Sequence, residues 1–376
     1  MSEIKKDKFG PEYVIEVYDP KIGMEGFLVI DNTTLGLGKG GIRMTPNVTK
    51  EEVFRLARVM TWKNSLAGIP FGGAKAGIVW KGGSDELKQE FIKSFARMIK
   101  PFVPKKYIPG PDVNTTEKEM MLIAEEIGDW KAATGKPADY CYKNPKTGKK
   151  VCGLPHELGS TGFGVAHSAI VTAEVAGFDI KKMTVAIDGF GNVGEFAFRH
   201  LQEMGAKIVA ISGSRGGVYD TNGLDLEKLL KLKSQNKPMT EYPTGKKIKH
   251  SEIFELPIDI LIPASVTDVI NESNKDKIKA KIIVEGANIP MKENIENELF
   301  KKGIIIVPDF VANAGGVISS YAEHRGCSGK QMFEMVERKI RNCAKAIMEK
   351  SLVEKRNPRE VAMEIALKRI GSKIRL

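Results

Sequence analysis

Three lysines and one aspartate stand where a charged side chain would be held rather than left loose. Lys39 lies in "GKGGIRM", residues 38–44, Lys75 in "IPFGGAKAG", residues 69–77, and Lys63 in "MTWKNSLAG", residues 60–68. Asp112 lies in "YIPGPDVN", residues 107–114. Glycine-flanked cations hold anions, and phosphate is the first candidate. A phosphate-cradling loop of the G-x-x-x-x-G-K-[ST] type needs a hydroxyl directly after the lysine. Neither Lys39 nor Lys75 has one, which excludes phosphoryl transfer. A lysine held among glycines near another lysine suggests instead a perturbed amine, because neighbouring cations and partial burial both lower its pKa. Such an amine polarises a carbonyl or activates water, and acid–base help of this kind is worth roughly 10²–10⁴-fold. Two prolines and a glycine make the Asp112 turn stiff, so its carboxylate is presented at a fixed place.

A second chemical signal is G-x-G-x-x-G at Gly189, Gly191 and Gly194. Alone it is weak. Here it follows the β-branched run "TVAID" and opens an amphipathic segment, the context of a dinucleotide-binding turn. Pyrophosphate then meets the N–H groups and positive dipole end of a helix N-terminus. The next strand ends in "ISGSRGG", residues 211–217, with no acid for a ribose 2′-hydroxyl. Ser214 and Arg215 are suited to a 2′-phosphate, so NADP is expected ahead of NAD. The alternative is that Arg215 is a solvated turn residue.

The elements that must position these groups can be read from periodicity. "FLVI", residues 27–30, reads as a strand and "DNTTLGLGKGG", residues 31–41, as a loop. A helix follows, with Thr49 and Glu52 as a capping box and Val53, Leu56, Met60 and Ala67 on one face. Lys63 falls on that same apolar face, where an unpartnered ammonium is costly. Helices are expected from Ser84 and over "TTEKEMMLIAEEIG", residues 115–128. From about residue 155 the pattern changes to helix, strand, glycine turn, helix, strand. The short apolar runs "IDILIPAS", "AKIIVEGAN" and "GIIIVPDF" read as buried parallel strands. Phe333, Val336, Ile340 and Ile347 make a helical stripe, and Asn357 and Pro358 open a last helix. The expected fold is α/β in two domains. Residues 1–154 form an α/β substrate and oligomerisation domain, residues 155–351 a doubly wound Rossmann domain, and helix 352–376 returns to the first.

The chain has 376 residues, enough for two cores, and its 42% apolar and 28% charged residues are ordinary for a globular protein. No apolar run approaches the roughly 18 residues of a membrane helix, and the first residues do not read as a signal peptide, so a cytoplasmic protein is expected. The net charge of +11 comes from scattered lysines without an aromatic-interleaved patch, which speaks against nucleic acid and for anionic small ligands. The four cysteines make no C-x-x-C pair, so no metal site is expected and reduced thiols are the first expectation. A hairpin or surface loop is expected between Cys141 and Cys152.

Taken together, "KGGIRM", "MTWKNSLAGIPFGGAKAG", "PGPDVNT", "STGFGV", "GFGNVG", "EGAN" and "PDFVANAGGVISS" resemble the glutamate/leucine/phenylalanine/valine dehydrogenase superfamily from about Gly36 to Glu323. The resemblance implies reversible oxidative deamination of an L-amino acid with a nicotinamide cofactor. It implies that Lys75 activates water and polarises the carbon under attack, that Asp112 moves protons at the substrate nitrogen, and that Lys63 binds the α-carboxylate. Gly40, Gly110, Asn313 and Val317 are implied around the substrate. Thr161 and Asn192 are implied at the nicotinamide amide, and Asn288 at its ribose. Phe190, Val193, Ser212 and Ala264 complete the implied dinucleotide site. A homohexamer is also implied.

Lys39 and Ser320 bear on which amino acid is used. Relatives acting on leucine or phenylalanine have apolar residues at both places, whereas glutamate enzymes have lysine and serine. The physics agrees: two cations, Lys39 and Lys63, match two carboxylates in a water-poor site. An apolar substrate would leave Lys39 and Ser320 unpaired, and such sites reject apolar analogues by up to roughly 10⁴-fold. L-Glutamate and 2-oxoglutarate with ammonium are therefore the expected substrates, with an apolar amino acid as the alternative. A non-catalytic relative would be expected to lose Lys75 or Asp112, and both are present. Two departures stand out: Gly213 replaces an acid found in many relatives, and "CYKNPKTGKKVCGLPHELG", residues 141–159, does not match the family's segment.

Overall fold

The computed structural model describes residue 4 and residues 6–373. The chain divides into two compact units, one of Met1–Leu158, Val317–Met335 and Ile365–Leu376, the other of Gly159–Gly316 and Val336–Glu364. The expected division thus differs from the observed one by the four residues 155–158 at the first boundary and in two further, mostly helical stretches. Residues 317–335 belong with the first unit and residues 352–364 with the second. Both of these stretches lie mostly in helices, whose periodicity says which face is buried but not against which sheet.

In the first unit, strands β1 (Tyr13–Asp19), β2 (Met24–Asn32), β3 (Gly38–Thr45), β4 (Gly72–Val79) and β5 (Tyr107–Gly110) form one sheet in the order β1-β2-β4-β3-β5. β1 alternates exposed and half-buried residues, as an edge strand should, whereas β2 is buried along nearly all of its length. β2 runs antiparallel to β1 and β4, and β3 runs parallel to β4 and β5. Helices α2 (Asp85–Ile99) and α3 (Glu117–Ile127) cover one face, where Ala74, Ala76 and Ile78 of β4 join Phe95, Ile92, Met120 and Ile123 in the core. Helix α1 (Lys50–Leu66) covers the other face, close enough that a Cβ at Gly73 would lie 2.0 Å from Thr61 Oγ1. The two-residue period of a strand therefore puts Lys75, between Ala74 and Ala76, on the α1 face.

Two expectations about this region are corrected. "GKGG" is not loop but the start of β3, paired on both sides. Its glycines depress strand propensity, and the sheet overrides that local preference. The buried face of α1 is Val53, Ala57, Thr61, Asn64 and Ser65, not the expected stripe through Leu56 and Met60; Lys63 is half-buried on the flank. Polar residues enter the buried face because their donors find acceptors on the sheet. Thr61 Oγ1 donates to Asp31 Oδ2 (2.5 Å), and Asn64 Nδ2 donates to Gly72 O (2.6 Å).

Strands β6 (Cys141–Lys143) and β7 (Lys150–Cys152) form a short antiparallel hairpin closed by a Cys141–Cys152 disulfide. The expectation of reduced thiols fails for this pair, because the hairpin register sets the two residues opposite each other. Cys327 and Cys343 are free.

The second unit begins with α4 (Ser160–Val175) and alternates β8 (Thr184–Asp188), α5 (Asn192–Glu203) and β9 (Lys207–Gly213). β10 (Gly216–Tyr219), α6 (Leu226–Ser234), β11 (Lys246–Ile248), β12 (Ile260–Pro263), β13 (Ile282–Val284), α7 (Glu293–Lys301), β14 (Ile305–Val307) and α8 (Asp309–Ala312) follow. The sheet order is β11-β10-β9-β8-β12-β13-β14. β9, β8, β12, β13 and β14 are parallel, and β10 and β11 extend the sheet as an antiparallel edge. The order reverses at β8, which creates the crevice at strand C-termini where doubly wound sheets take ligands. The remaining helices are α9 (Gly315–His324), α10 (Gly329–Glu354) and α11 (Pro358–Gly371). The last turns of α11 return to the first unit: Arg369 Nη1 donates to Ser65 O (2.8 Å) and Leu66 O (2.9 Å), satisfying the carbonyls that α1 leaves open at its end.

Candidate active site

Lys39, opposite Gly73, and Lys75, between Ala74 and Ala76, both lie on the α1 face of the first unit's sheet, whereas Lys63 lies on the flank of α1 itself. Lys75 Nζ lies 2.7 Å from Asp112 Oδ2, and Arg43 Nε reaches the same oxygen at 3.4 Å. The Asp112 turn is held from below, where Thr115 Oγ1 donates to Ile42 O at 2.6 Å and the Asp112 N–H donates to Thr115 Oγ1 at 3.0 Å. Gly41 leaves the room, since a Cβ there would lie 2.7 Å from the Asp112 Cβ. Burial acts to raise the Asp112 pKa, but the Lys75 charge and hydrogen bond, with Arg43, outweigh it and hold the carboxyl below its ordinary value. Asp112 is thus ionised and in direct proton-transfer range of Lys75.

The expected capping box is only half made. Thr49 Oγ1 accepts from Glu52 N at 3.2 Å, but the Glu52 carboxylate turns to Arg43 Nη1 at 2.6 Å. A residue read as a local cap is part of a chain of charges, Glu52–Arg43–Asp112–Lys75.

Lys39 is 2% exposed, and its ammonium sits over Gly110, where a Cβ would lie 2.4 Å from Nζ and 3.7 Å from Thr134 Oγ1. Gly110 is therefore needed to seat the lysine head. Gly40 is fastened from beneath by the Tyr107 hydroxyl, which donates to its carbonyl at 3.1 Å. Burial lowers the Lys39 pKa to about 7; Glu323 opposes the shift, and Lys75 and Lys136 add to it. A buried ammonium with no carboxylate in contact among the described residues is suited to receive one. Val317 and Ser320 lie on α9 within the first unit, both half-buried.

The second unit holds the dinucleotide elements. Gly189 has φ 101°, and a Cβ at Gly194 would lie 1.9 Å from Gly189 O, so α5 packs on its turn as the motif requires. Gly191 is open, with nothing within 4 Å of a Cβ, and α5 starts at Asn192 beside Val193, with Phe190 buried behind the turn. These features fit a pyrophosphate on a helix N-terminus. Thr161 is buried in the first turn of α4. Asn313 Nδ2 donates to Gly286 O (3.3 Å), Ala287 O (3.2 Å) and Asn288 Oδ1 (3.1 Å), fixing the exposed Asn288 loop. Ala264 packs against Gly286, whose Cβ would lie 3.1 Å from its methyl.

Beyond β9, an open cavity of about 620 Å³ is lined by Ser214, Arg215, Thr240, Lys247, Lys249 and His250. Arg215 is anchored rather than loose, donating to Asn236 O at 2.7 Å and Asn236 Oδ1 at 3.1 Å. Ser212 stands apart from this wall: it is fully buried and its hydroxyl donates to Asp188 Oδ1 at 2.8 Å. His250 Nε2 meets the same Asp188 oxygen at 2.7 Å. The three cations Arg215, Lys247 and Lys249 suit a phosphate monoester.

Sequence reasoning missed Thr134, Lys136 and Glu323 around Lys39, and Lys247 and Lys249 on the second cavity wall. "TGKP" reads as a surface turn, and "KKIK" as a solvated run. No local signal marks either as part of a site.

A Rossmann unit joined to a lysine- and aspartate-bearing α/β unit defines a dinucleotide-dependent dehydrogenase. Residues 153–375 match the family model described as Glutamate/Leucine/Phenylalanine/Valine dehydrogenase, and residues 11–129 match the Glu/Leu/Phe/Val dehydrogenase dimerisation domain. The chain belongs to this family. It is 40% identical over 367 residues to the glutamate dehydrogenase of Aeropyrum pernix, covering 92% of this chain and 84% of that one. It is 36% identical over 384 residues to the NADP-specific glutamate dehydrogenase of Saccharolobus shibatae, covering 96% and 88%. Its fold matches the hetero-hexameric glutamate dehydrogenase of Thermus thermophilus with a TM-score of 0.82 and 25% identity, over 96% of this chain and 89% of that one.

Proposed function

We propose that the protein is an NAD(P)-dependent glutamate dehydrogenase that interconverts L-glutamate with 2-oxoglutarate and ammonium. The observation that carries the reading is the buried Lys39 ammonium beside Lys75–Asp112, a receptor for a second carboxylate next to acid–base machinery. Glutamate dehydrogenases at 36–40% identity support the substrate.

In this reading Lys63 takes the α-carboxylate, and Lys39 with Ser320 takes the distal one. Asp112, ionised, accepts a proton from the substrate ammonium, leaving the nitrogen lone pair to follow as hydride departs from Cα. Bound NAD(P) supplies the hydride acceptor. Lys75 then activates the water that attacks the resulting imine carbon. Asp112 returns its proton to the carbinolamine nitrogen; the C–N bond then breaks, ammonia leaves, and the hydroxyl gives up its proton to solvent as the carbonyl of 2-oxoglutarate forms. Reversal of the same transfers assimilates ammonium. Gly189–Gly194, Thr161 and Asn288 would hold the cofactor, and the Arg215 cavity would take a 2′-phosphate, which favours NADP over NAD. Gly40, Gly110 and Val317 would shape the substrate side of the first unit, and Asn313 would hold the Asn288 loop for the cofactor. A cytoplasmic homohexamer completes the proposal; the hetero-hexameric structural neighbour supports six subunits without bearing on their identity.

The test is turnover of 2-oxoglutarate, ammonium and NADPH or NADH, run beside the 2-oxo acids of leucine and phenylalanine. 2-Oxoglutarate should give the highest kcat/KM, and NADPH should be preferred. No turnover of 2-oxoglutarate with either cofactor by folded protein overturns the assignment.

A further inference from the structure

The reaction above leaves one buried ion pair of the first unit without a task. Glu323, in the last turn of α9, and Lys136, in the loop after α3, both have side chains with no exposed surface and meet at 2.5 Å. The second Glu323 oxygen accepts the N–H groups of Gly135 (2.7 Å) and Leu154 (2.8 Å). Lys136 also donates to Ala133 O and lies 3.7 Å from the centre of the Trp130 ring. One carboxylate thereby ties α9 to chain segments on both sides of the disulfide hairpin.

The loop abuts the seat of Lys39, and α9 acts on Lys39 through the charge of Glu323. The loop carries Thr134, whose N–H donates to Pro109 O at 3.1 Å, next to the Gly110 on which Lys39 rests. α9 carries Ser320 one turn before Glu323, and Phe71 packs edge-on against both Tyr321 and His324 of that helix at 5.5 Å.

The charges facing Lys39 come from every element around it. β4 contributes Lys75 and the loop contributes Lys136, both of which disfavour its proton. From α9, His324 is neutral, pushed down to about 4 by burial and by Lys131, Lys39, Lys136 and Arg325. Asp112 is engaged by Lys75 and Arg43, and Tyr107 of β5 is un-ionised. Glu323 is the anion that opposes this field.

We propose that Glu323, braced by Lys136, is a positioning residue for the substrate's distal carboxylate: it fixes the Thr134 loop and the Ser320 helix around Lys39 and keeps that ammonium charged. The proposal rests on the reading of Lys39 as the ligand of that carboxylate. A pair with only a structural task would affect stability without moving the pH dependence of dicarboxylate binding.

The experiment is calorimetric binding of glutarate, an unreactive dicarboxylate, to the full-length protein from pH 6 to 9.5, with butyrate as the single-carboxylate control. Wild-type affinity should fall as Lys39 loses its proton. Glu323→Gln should move that fall to lower pH by about one unit, weakening glutarate about tenfold at pH 8. Lys136→Met should move it to higher pH. The double variant Glu323→Gln/Lys136→Met replaces the charges by a neutral pair of similar volume, which buried sites tolerate well, and should lie between wild type and Glu323→Gln. A midpoint unchanged in the double variant, or shifts in the same direction for both single variants, overturns the proposal. If Lys39→Met retains wild-type glutarate affinity and pH dependence, the fault lies in the assignment of Lys39 itself. If Lys39→Met loses them while the Glu323 variants do not shift, only the role of Glu323 is refuted.

Discussion

Lys39→Met separates substrate recognition from stability, because the two should move in opposite directions. In the free enzyme the ammonium is 2% exposed with no anion in contact among the described residues, and its pKa is depressed from 10.5 to about 7. At about 1.36 kcal/mol per unit, that depression corresponds to roughly 3–6 kcal/mol against the folded state. Local relaxation reduces the observable effect to roughly 1–3 kcal/mol. The folded chain releases this proton near pH 7 while the unfolded chain keeps it to 10.5, so the unfolded state binds more protons between those values. Stability from this group therefore rises with pH across that window, and the penalty is fully present below pH 7 and nearly so at pH 7. Methionine fills similar volume without the charge, so urea unfolding at fixed protein concentration should show a more stable variant at pH 7 that lacks the rise toward pH 10. Turnover should move the other way. Removing one partner of a buried charge pair costs about 2–5 kcal/mol, which is roughly 30- to 4,000-fold in kcat/KM for glutamate. Leucine turnover should fall less or rise. An unchanged glutamate-to-leucine ratio refutes the reasoning about the distal carboxylate, and a variant less stable at pH 7 refutes the account of the buried ammonium.

Asp112→Asn should lower kcat by roughly 10²–10⁴-fold with a much smaller change in KM, as measured by steady-state kinetics, because proton transfer is lost and the carboxylate receptors remain. Its acidic stability limb should change as well: the depressed Asp112 pKa stabilises the wild type above the unfolded value, and that contribution is lost as pH falls through the folded one. Arg215→Ala should weaken 2′,5′-ADP about tenfold and leave 5′-AMP nearly unchanged in calorimetry; equal effects on both would remove Arg215 from phosphate recognition. Cys141→Ser with Cys152→Ser opens a loop with a sequence separation of 11 and should lower unfolding stability by roughly 2–3 kcal/mol, with dithiothreitol reproducing the loss in the wild type.

Much of the dinucleotide half was legible because its signals are local. A β-branched strand, three spaced glycines and a helix start lie within a dozen residues, and the structure places Gly189, Gly191 and Gly194 in that turn. The substrate half was legible in its residue types and less so in its elements. "GKGG" resembles loop by composition, yet the neighbouring strands β4 and β5 draw it into the sheet, where the absent side chain of Gly41 admits Asp112, as that of Gly110 on β5 admits the Lys39 head. The face of α1 was misread because Thr61 and Asn64 are polar; their burial depends on Asp31 and Gly72 O, acceptors that lie on the sheet beneath. Glu52 followed a local rule on one side only, since Arg43 on β3 was a stronger partner for its carboxylate than a backbone N–H.

The sequence by itself determined that this chain carries a strand–glycine turn–helix run at Gly189–Gly194 and the side chains Lys39, Lys63, Lys75 and Asp112 in short glycine- or proline-bearing stretches, since glycine spacing and residue type act within a few positions. Only the tertiary structure decided which charges meet. Lys136 and Glu323 are 187 residues apart, and a lysine before a proline or a glutamate in a helix carries no mark of a distant partner. Folding brings them together out of water, where an ion pair this short must be satisfied on every side, and there the pair stands beside Lys39.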